Sequence, residues 1–461
     1  MDVGMLSRIQ FAVTIGFHFL FPPVTIGLAW LLVIVEGLAW RTKRAEYEQA
    51  GRFFSRLLGL TFAMGVATGI VMEFQFGTNW ARYSKFVGDI FGAPLAVEAV
   101  VAFFLESVFL GLYLFGRERV SKGVHWFSIL MVAVGATISA FWIIAANSWM
   151  QTPAGYTIAN GRAELTSFRE AVFNASTMIR YHHTVTAAMV CGAFFMAGAA
   201  AYLLLREGRR GEAANAGVVG MARRALGVAL VFGLVMSILT VFPFGHQHTQ
   251  QVARTQPEKF AAIEGLYTSQ TKAPLVMFAV PFTDPPRLKV KIELSGLLSW
   301  MAFGDVNAHV PGIDAFPADQ LPPLWLTFVS FHNMVVLGVF FIGACGYGVW
   351  QMWRGKVDEK RWFLRVLVCS VPLPIAACQL GWVVAEVGRQ PWIVYKVMRT
   401  SEAFSANVSA GQVLFSLVLF GLIYVGLLAC YFTVLFHKLN HAGGGHVASE
   451  RELPPATGSQ S

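Results

Sequence analysis

Charge is what this chain has least of. Only 13% of its 461 residues are Asp, Glu, Lys or Arg, while 56% are hydrophobic. Two or three soluble domains, which the length alone suggests, are excluded by so sparse a polar surface, and a polytopic membrane protein is indicated. Cysteine is scarce as well. Cys191, Cys345, Cys369, Cys378 and Cys430 all lie in apolar runs, and no CxxC or CxxCH occurs. That excludes a zinc knuckle and covalent haem attachment. The start of the chain has neither a basic n-region nor a small-residue cleavage site, and its apolar run is too long for a signal peptide; it reads as a retained first span. No repeat of fixed period is present, so a transporter built from inverted repeats gains no support. The formal net charge of +9 is scattered over short loops and is not a nucleic-acid footprint.

What the chain does have is apolar runs of membrane-crossing length. Nine are expected, at 11–40, 53–76, 93–116, 124–146, 180–205, 222–244, 323–353, 364–387 and 411–437. Each must be helical, because an open strand leaves backbone groups unpaired in lipid. The expected fold is thus an all-α bundle of about nine spans. Pro22-Pro23 should kink or divide the first run, and Pro372 and Pro374 the eighth. Basic loops (Arg41 to Arg52, Arg117 to Lys122, Arg206 to Arg224, Arg354 to Arg365) alternate with loops poorer in Lys and Arg. The positive-inside rule then puts the N-terminus outside and the C-terminus in the cytoplasm. The chain divides into 1–244 with six spans, a long outer connection 245–322, 323–442 with three spans, and a Gly/Ser-rich tail 443–461 that reads as disordered. A connection as long as 245–322 is usually functional or disordered, and its aromatic content argues against disorder.

Polar residues collect at one end of this bundle. The stretch GWVVAEVGRQPW (381–392) closes the eighth run with Glu386, Arg389, Trp382 and Trp392. On a helix Trp382, Glu386 and Arg389 share one face. An interfacial anchor is the bland reading; a carboxylate beside that Arg at the end of a span argues instead for a partner, cofactor or water. His18 lies about two turns into the first span, His183 near the outer end of the fifth, and Met334 about three turns into the seventh. Glu98 opens the third span, with Glu106 about 12 Å deeper. Singly, each is more often a packed core residue. Together, at matched depth and without the larger histidine set of a haem–copper site, they favour haem iron, for which His with Met is a low-spin ligand pair.

Six ordered stretches make the chain resemble subunit I of the cytochrome bd-type quinol oxidases. They are SRIQFAVTIGFHFLF (7–21), GVATGIVMEFQFGTNW (65–80), GDIFGAPLAVEAVVAFFLES (88–107), AANSWMQTP (145–153), KFAAIE (259–264) and GWVVAEVGRQPW. The resemblance implies that His18 and Glu386 ligate the two high-spin haems, one haem b and one haem d, and that His183 and Met334 ligate a low-spin haem b. His182 is adjacent to His183, and the choice between them rests on the following Thr184. Glu98 is implied beside the oxygen-reducing haem, Lys259 and Glu264 as quinol-interacting residues of the outer loop, Trp382 between haems, and Arg389 near a propionate. Arg8 and His332 complete the cofactor-binding candidates. Glu106, Ser107 and Ser139 are the deeper polar candidates for bringing protons to the oxygen site.

Two departures accompany the resemblance. SFHNM (330–334) has His332 where the family usually has Arg, exchanging a permanent cation for a titratable ring. GHQHTQ (245–250) replaces an acidic Gly-Asp stretch. The loop is of the short class. The implied protein is a bacterial inner-membrane terminal oxidase subunit. It oxidises quinol outside and reduces O2 with cytoplasmic protons, partnered by subunit II, and by a small single-helix subunit in some members. The alternatives are a haem-altered paralogue acting as a structural partner, and a non-oxidase transporter.

Overall fold

The structure is a computed structural model that describes residues 2–283 and 286–443. Of the expected tail, residues 444–461 lie outside the described residues. The chain runs α1 Val3–His18, α2 Pro22–Thr42, α3 Ala45–Thr78, α4 Ala81–Val97, a π-turn Glu98–Phe103, α5 Phe104–Phe115 and α6 Lys122–Gln151. A small hairpin (β1 Tyr156–Ala159, β2 Arg162–Leu165) and the short α7 Phe168–Val172 lead into α8 Thr177–Arg210. After α9 Ala216–Leu239 come a second π-turn Thr240–Gly245, α10 His246–Thr255 and α11 Pro257–Glu264. Strand β3 Gln270–Thr271, the hairpin β4 Leu275–Thr283 and β5 Pro286–Leu294, α12 Leu297–Phe303 and β6 His309–Val310 follow. The chain closes with α13 Leu324–Trp353, α14 Arg361–Cys369, α15 Pro372–Glu386, the ribbon β7 Trp392–Val394 with β8 Met398–Arg399, and α16 Ala410–Asn440.

The protein is an all-α polytopic bundle whose strands form only two-stranded ribbons. Among the described residues eight helical runs are long and apolar enough to cross a membrane. The expected ninth, 93–116, differs: it is the second half of a rod from Ala81 to Phe115, of which only Phe104–Phe115 is a short apolar helix. Pro94 and the π-turn interrupt it, and Arg82, Lys85 and Asp89 make its first half polar. Proline breaks the first run at residues 19–21 and the eighth at 370–371, where the sequence put Pro22-Pro23 and Pro372. The sixth run does not end at 244 but continues through the π-turn into α10 as far as Thr255.

Helix α8 is the axis of the bundle and packs against α2, α9, α14 and α15. Its tightest crossing is with α2 at Gly27 and Gly192. A Cβ on Gly27 would lie 2.6 Å from the Ala188 carbonyl oxygen and 2.8 Å from Gly192 Cα. In lipid, helices associate by packing and backbone approach because acyl chains are as apolar as leucine, so small residues sit where helices touch. At the end carrying the basic loops, ion pairs join Arg52 to Glu118 and Arg223 to Asp358, and Arg117 to Glu36. At the other end the 245–322 segment has its own core of Val252, Phe260, Ile263, Leu266, Leu298 and Val310.

Replacing Gly27 by Ala should therefore lower the thermal midpoint of the detergent-solubilised protein, by about 1–3 kcal/mol of overpacking. A midpoint equal to or above that of the native chain would contradict the close α2–α8 contact.

Candidate functional site

The polar residues meet where α6 and α15 finish and α8 begins, with α11 of the 245–322 segment bonded against them. Glu386 terminates α15, and its two oxygens are held separately: Oε1 accepts from Asn147 Nδ2 at 2.9 Å, Oε2 from Arg389 Nη2 at 2.5 Å. The helix stops at Glu386, so Arg389 sits on the following turn and reaches back by i, i+3. Asn147 is bonded in turn by Arg180 Nη2 at 2.5 Å. From the loop side, Lys259 Nζ donates to Gln151 Oε1 at 2.6 Å and to the Ala385 carbonyl at 3.2 Å. Arg180, Lys259 and Arg389 are all buried, and Arg389 Nη1 has no hydrogen-bond partner. Two guanidiniums that cannot deprotonate thus surround a single carboxylate. Burial, with Arg389 and Arg180 nearby, pushes the Lys259 ammonium well below the usual lysine range. The cluster can receive an anion.

Both candidate histidines are tied at Nδ1. Thr68 Oγ1 donates to the Met64 carbonyl at 2.8 Å, so it accepts from His18 Nδ1 at 3.0 Å. His183 Nδ1 donates to the Thr240 carbonyl at 3.1 Å, on the second π-turn. In each ring the proton is on Nδ1, which leaves Nε2 unprotonated, the state of a metal-ligating imidazole oriented by a carbonyl or hydroxyl. His182 is exposed and bonds the Met178 carbonyl of its own helix. Met334 Sδ faces Gly381, where a Cβ would lie 3.1 Å away. Trp382 packs edge-on against Phe19 at 5.4 Å, and Gln379 Nε2 donates to the Gly16 carbonyl at 2.7 Å, so the end of α1 is fastened to α15.

The carboxylates farther along the bundle form a second group. Glu98 opens the first π-turn and accepts from Ser139 Oγ at 2.6 Å. Glu73 and Glu106 both lie within electrostatic reach of it. Glu106 is buried, and the buried Ser107 Oγ has no hydrogen-bond partner. Arg8 is exposed and bonds Gln390 at 3.4 Å. His332 stacks on Phe328, and its ring nitrogens lie 3.0 Å from the Phe328 carbonyl and 2.9 Å from the Val276 carbonyl, so it fastens β4 to α13. Glu264 is buried with Oε2 unpartnered, and burial pushes its pKa up to about 8. Among the described residues no three His, Cys, Asp or Glu side chains form a protein-only metal cage.

The family model for cytochrome bd terminal oxidase subunit I matches residues 6–443. The chain belongs to that family. Cytochrome bd ubiquinol oxidase subunit 1 of Bacillus subtilis is 38% identical over 463 residues, 98% of this chain and 96% of the relative. Cytochrome bd-II ubiquinol oxidase subunit 1 of Escherichia coli is 37% identical, covering 91% of this chain and 92% of its own. A putative cytochrome bd menaquinol oxidase subunit I of Bacillus subtilis is 32% identical over 95% of this chain and 96% of its own. The structure of bd oxidase from Geobacillus thermodenitrificans superposes with a TM-score of 0.88 at 30% identity, covering 95% of this chain and 99% of that one. An integral membrane oxidoreductase subunit with haem cofactors follows from membership. The residues present fit haem: two imidazoles with free Nε2, a thioether, and a buried N–H that lacks an acceptor.

Reading the sequence missed Arg180, Asn147, Gln151, Thr68 and Thr240. Asn147 and Gln151 stand in the AANSWMQTP stretch and Glu73 in GVATGIVMEFQFGTNW, so those motifs held the signal. Thr240 carried none, because it acts through its backbone.

Glu264 gives a stability test. Its folded pKa lies above that of an unfolded carboxyl, so its contribution is complete at low pH and is lost as pH rises through about 8. The thermal midpoint should fall more steeply between pH 5 and 8 in the native chain than in Glu264→Gln; equal slopes would count against a buried neutral carboxyl.

Proposed function

We propose that this chain is the haem-bearing subunit of a terminal oxidase that takes electrons from a membrane quinol and reduces O2 to water. The observation that carries this reading is the buried cation cluster beside His183, with His183 and His18 each held in the ligand-ready tautomer. Haem bound there supplies the electron-transfer path and the oxygen-reducing centre. His183 and Met334 would hold low-spin haem b; His18 and Glu386 would serve the two high-spin haems, one b and one d; Arg389 would take a propionate, where a fixed bidentate cation suits a carboxylate. Glu98, steadied by Ser139, would serve the oxygen-reducing site, and Trp382, packed on Phe19, would pack against bound haem.

Quinol binds at the outer face against the 245–322 segment. Glu264, with its pKa near 8, is matched to take a proton from a quinol hydroxyl near neutral pH and release it outward. Lys259 joins that segment to the turn of Glu386 and Arg389 through Ala385. Protons for water come from the cytoplasmic side. Glu106, Leu110 and Tyr113 form the buried stripe of α5, and Tyr113 donates to Glu36 beside Arg117 at the basic end of the bundle. Glu106 and Ser107 relay protons from that stripe toward Glu98. Releasing protons outside and drawing them from inside charges the membrane without a pumping element.

In this reading the N-terminus is periplasmic, the C-terminus cytoplasmic, and the membrane a bacterial cytoplasmic membrane. Subunit II is the partner. Ubiquinol and menaquinol both occur in the names of relatives, so the quinol is stated by class.

Met334→Leu tests the assignment. The low-spin haem b band should disappear first from the reduced-minus-oxidised spectrum of the purified complex, with the high-spin bands retained. An unchanged spectrum would remove Met334 as a ligand.

A further inference from the structure

The β4–β5 hairpin has no role in the reading above and is chemically unusual for a surface ribbon. Along β5, Ile292 and Leu294 alternate with Lys291 and Glu293, the pattern of a strand with one apolar and one polar face; a bulge, marked by the positive φ of Val290, interrupts that alternation before Lys289. The apolar side chains are not buried: Val290 is 77% and Ile292 61% exposed, and Met277, Phe278 and Leu294 are exposed beside them. A cluster of this kind on a water-facing ribbon would be an aggregation liability.

Its level in the molecule says what covers it. The hairpin is rooted on α13, where His332 bonds the Val276 carbonyl at 2.9 Å. Helix α13 has 30 residues, about 45 Å, against a hydrocarbon core of about 30 Å, which leaves about 7 Å of overhang at each end of a centred helix. His332 is about 12 Å from the helix start, so the root of the hairpin lies at the edge of the hydrocarbon. Trp300 on α12 and Trp325 at the start of α13 are both exposed beside it, as indoles are at a membrane–water boundary. Exposed Leu326, Val335 and Val336 continue the apolar surface down α13. Lys291, paired with Glu293 at 2.8 Å, marks the polar face, and the exposed Lys289 follows the bulge toward the tip of the hairpin.

We propose that the β4–β5 hairpin is an interfacial membrane element, its apolar face set among the outermost acyl chains and its lysines against anionic phospholipid headgroups. This places the 245–322 segment on the bilayer surface, where a lipid-soluble substrate arrives. It rests on the spans crossing a bilayer and not on the haem or quinol assignments.

A photo-crosslinking benzophenone amino acid at Ile292, and separately at the exposed loop position Asn307, tests it in the full complex in native membrane vesicles. Exposed positions keep folding out of the outcome. Intact-mass analysis should show phospholipid adducts at 292 about fivefold above those at 307. Adducts with a second polypeptide at 292, or no excess over 307, would overturn the proposal. In proteoliposomes of phosphatidylcholine with a minor share of phosphatidylglycerol, the adducts at 292 should be enriched about threefold in phosphatidylglycerol. Lys289→Gln with Lys291→Gln should abolish that enrichment; enrichment that survives both substitutions would overturn the headgroup contact.

Discussion

Two buried guanidiniums facing one carboxylate set the terms for everything around them. A charge taken out of water is tolerated only when it is paired and its hydrogen-bonding groups are satisfied. At the end of α15 the chain meets that condition incompletely. Glu386 is shared between Asn147 and Arg389, Arg180 is passed on to Asn147, and Lys259 is capped by Gln151 and a carbonyl. Arg389 Nη1 remains without an acceptor. Four helices, α6, α8, α11 and α15, meet to bury this surplus, and in the proposed reading the anion that balances it is a haem carboxylate.

The imidazoles follow the same logic from the other direction. Each spends its proton on an oxygen of a neighbouring helix, and each therefore presents a lone pair at Nε2. The two π-turns fall where such control is needed, one at Glu98 and one at the Thr240 carbonyl that orients His183. Wide turns of this kind commonly mark functional positions because they redirect one group without ending the helix. The link from the 245–322 segment to the metal-ligand candidates is short: Lys259 and Gln151 both donate to the Ala385 carbonyl, one residue before Glu386.

Much of this was legible in the residues. Apolar run lengths located the spans, and Pro22 and Pro372 located both breaks, since proline removes a helical donor whatever surrounds it. His18, His183, Glu98 and Glu386 could be picked out because a polar side chain in an apolar run is conspicuous, whereas Met334 stood out only through its depth beside the histidines and the family resemblance. In 93–116 Pro94 was a visible break that the apolar run length outweighed, while the π-turn after it has no composition of its own. Arg180 stood at the edge of an expected span, where an Arg ordinarily snorkels, and only tertiary packing shows it buried on Asn147. The role of Thr240 is a backbone role and leaves no trace in residue type. His332 was noticed as a departure, but its two carbonyl partners depend on a hairpin more than fifty residues away in sequence.

The most direct measurement is a density map of the purified complex at a resolution that shows side chains around Arg389. The account predicts a carboxylate oxygen of a bound group within hydrogen-bond distance of Arg389 Nη1, on the side of the turn that faces Glu386. An Nη1 turned to water or to a backbone carbonyl, with no anion against Arg389 or Arg180, would contradict it.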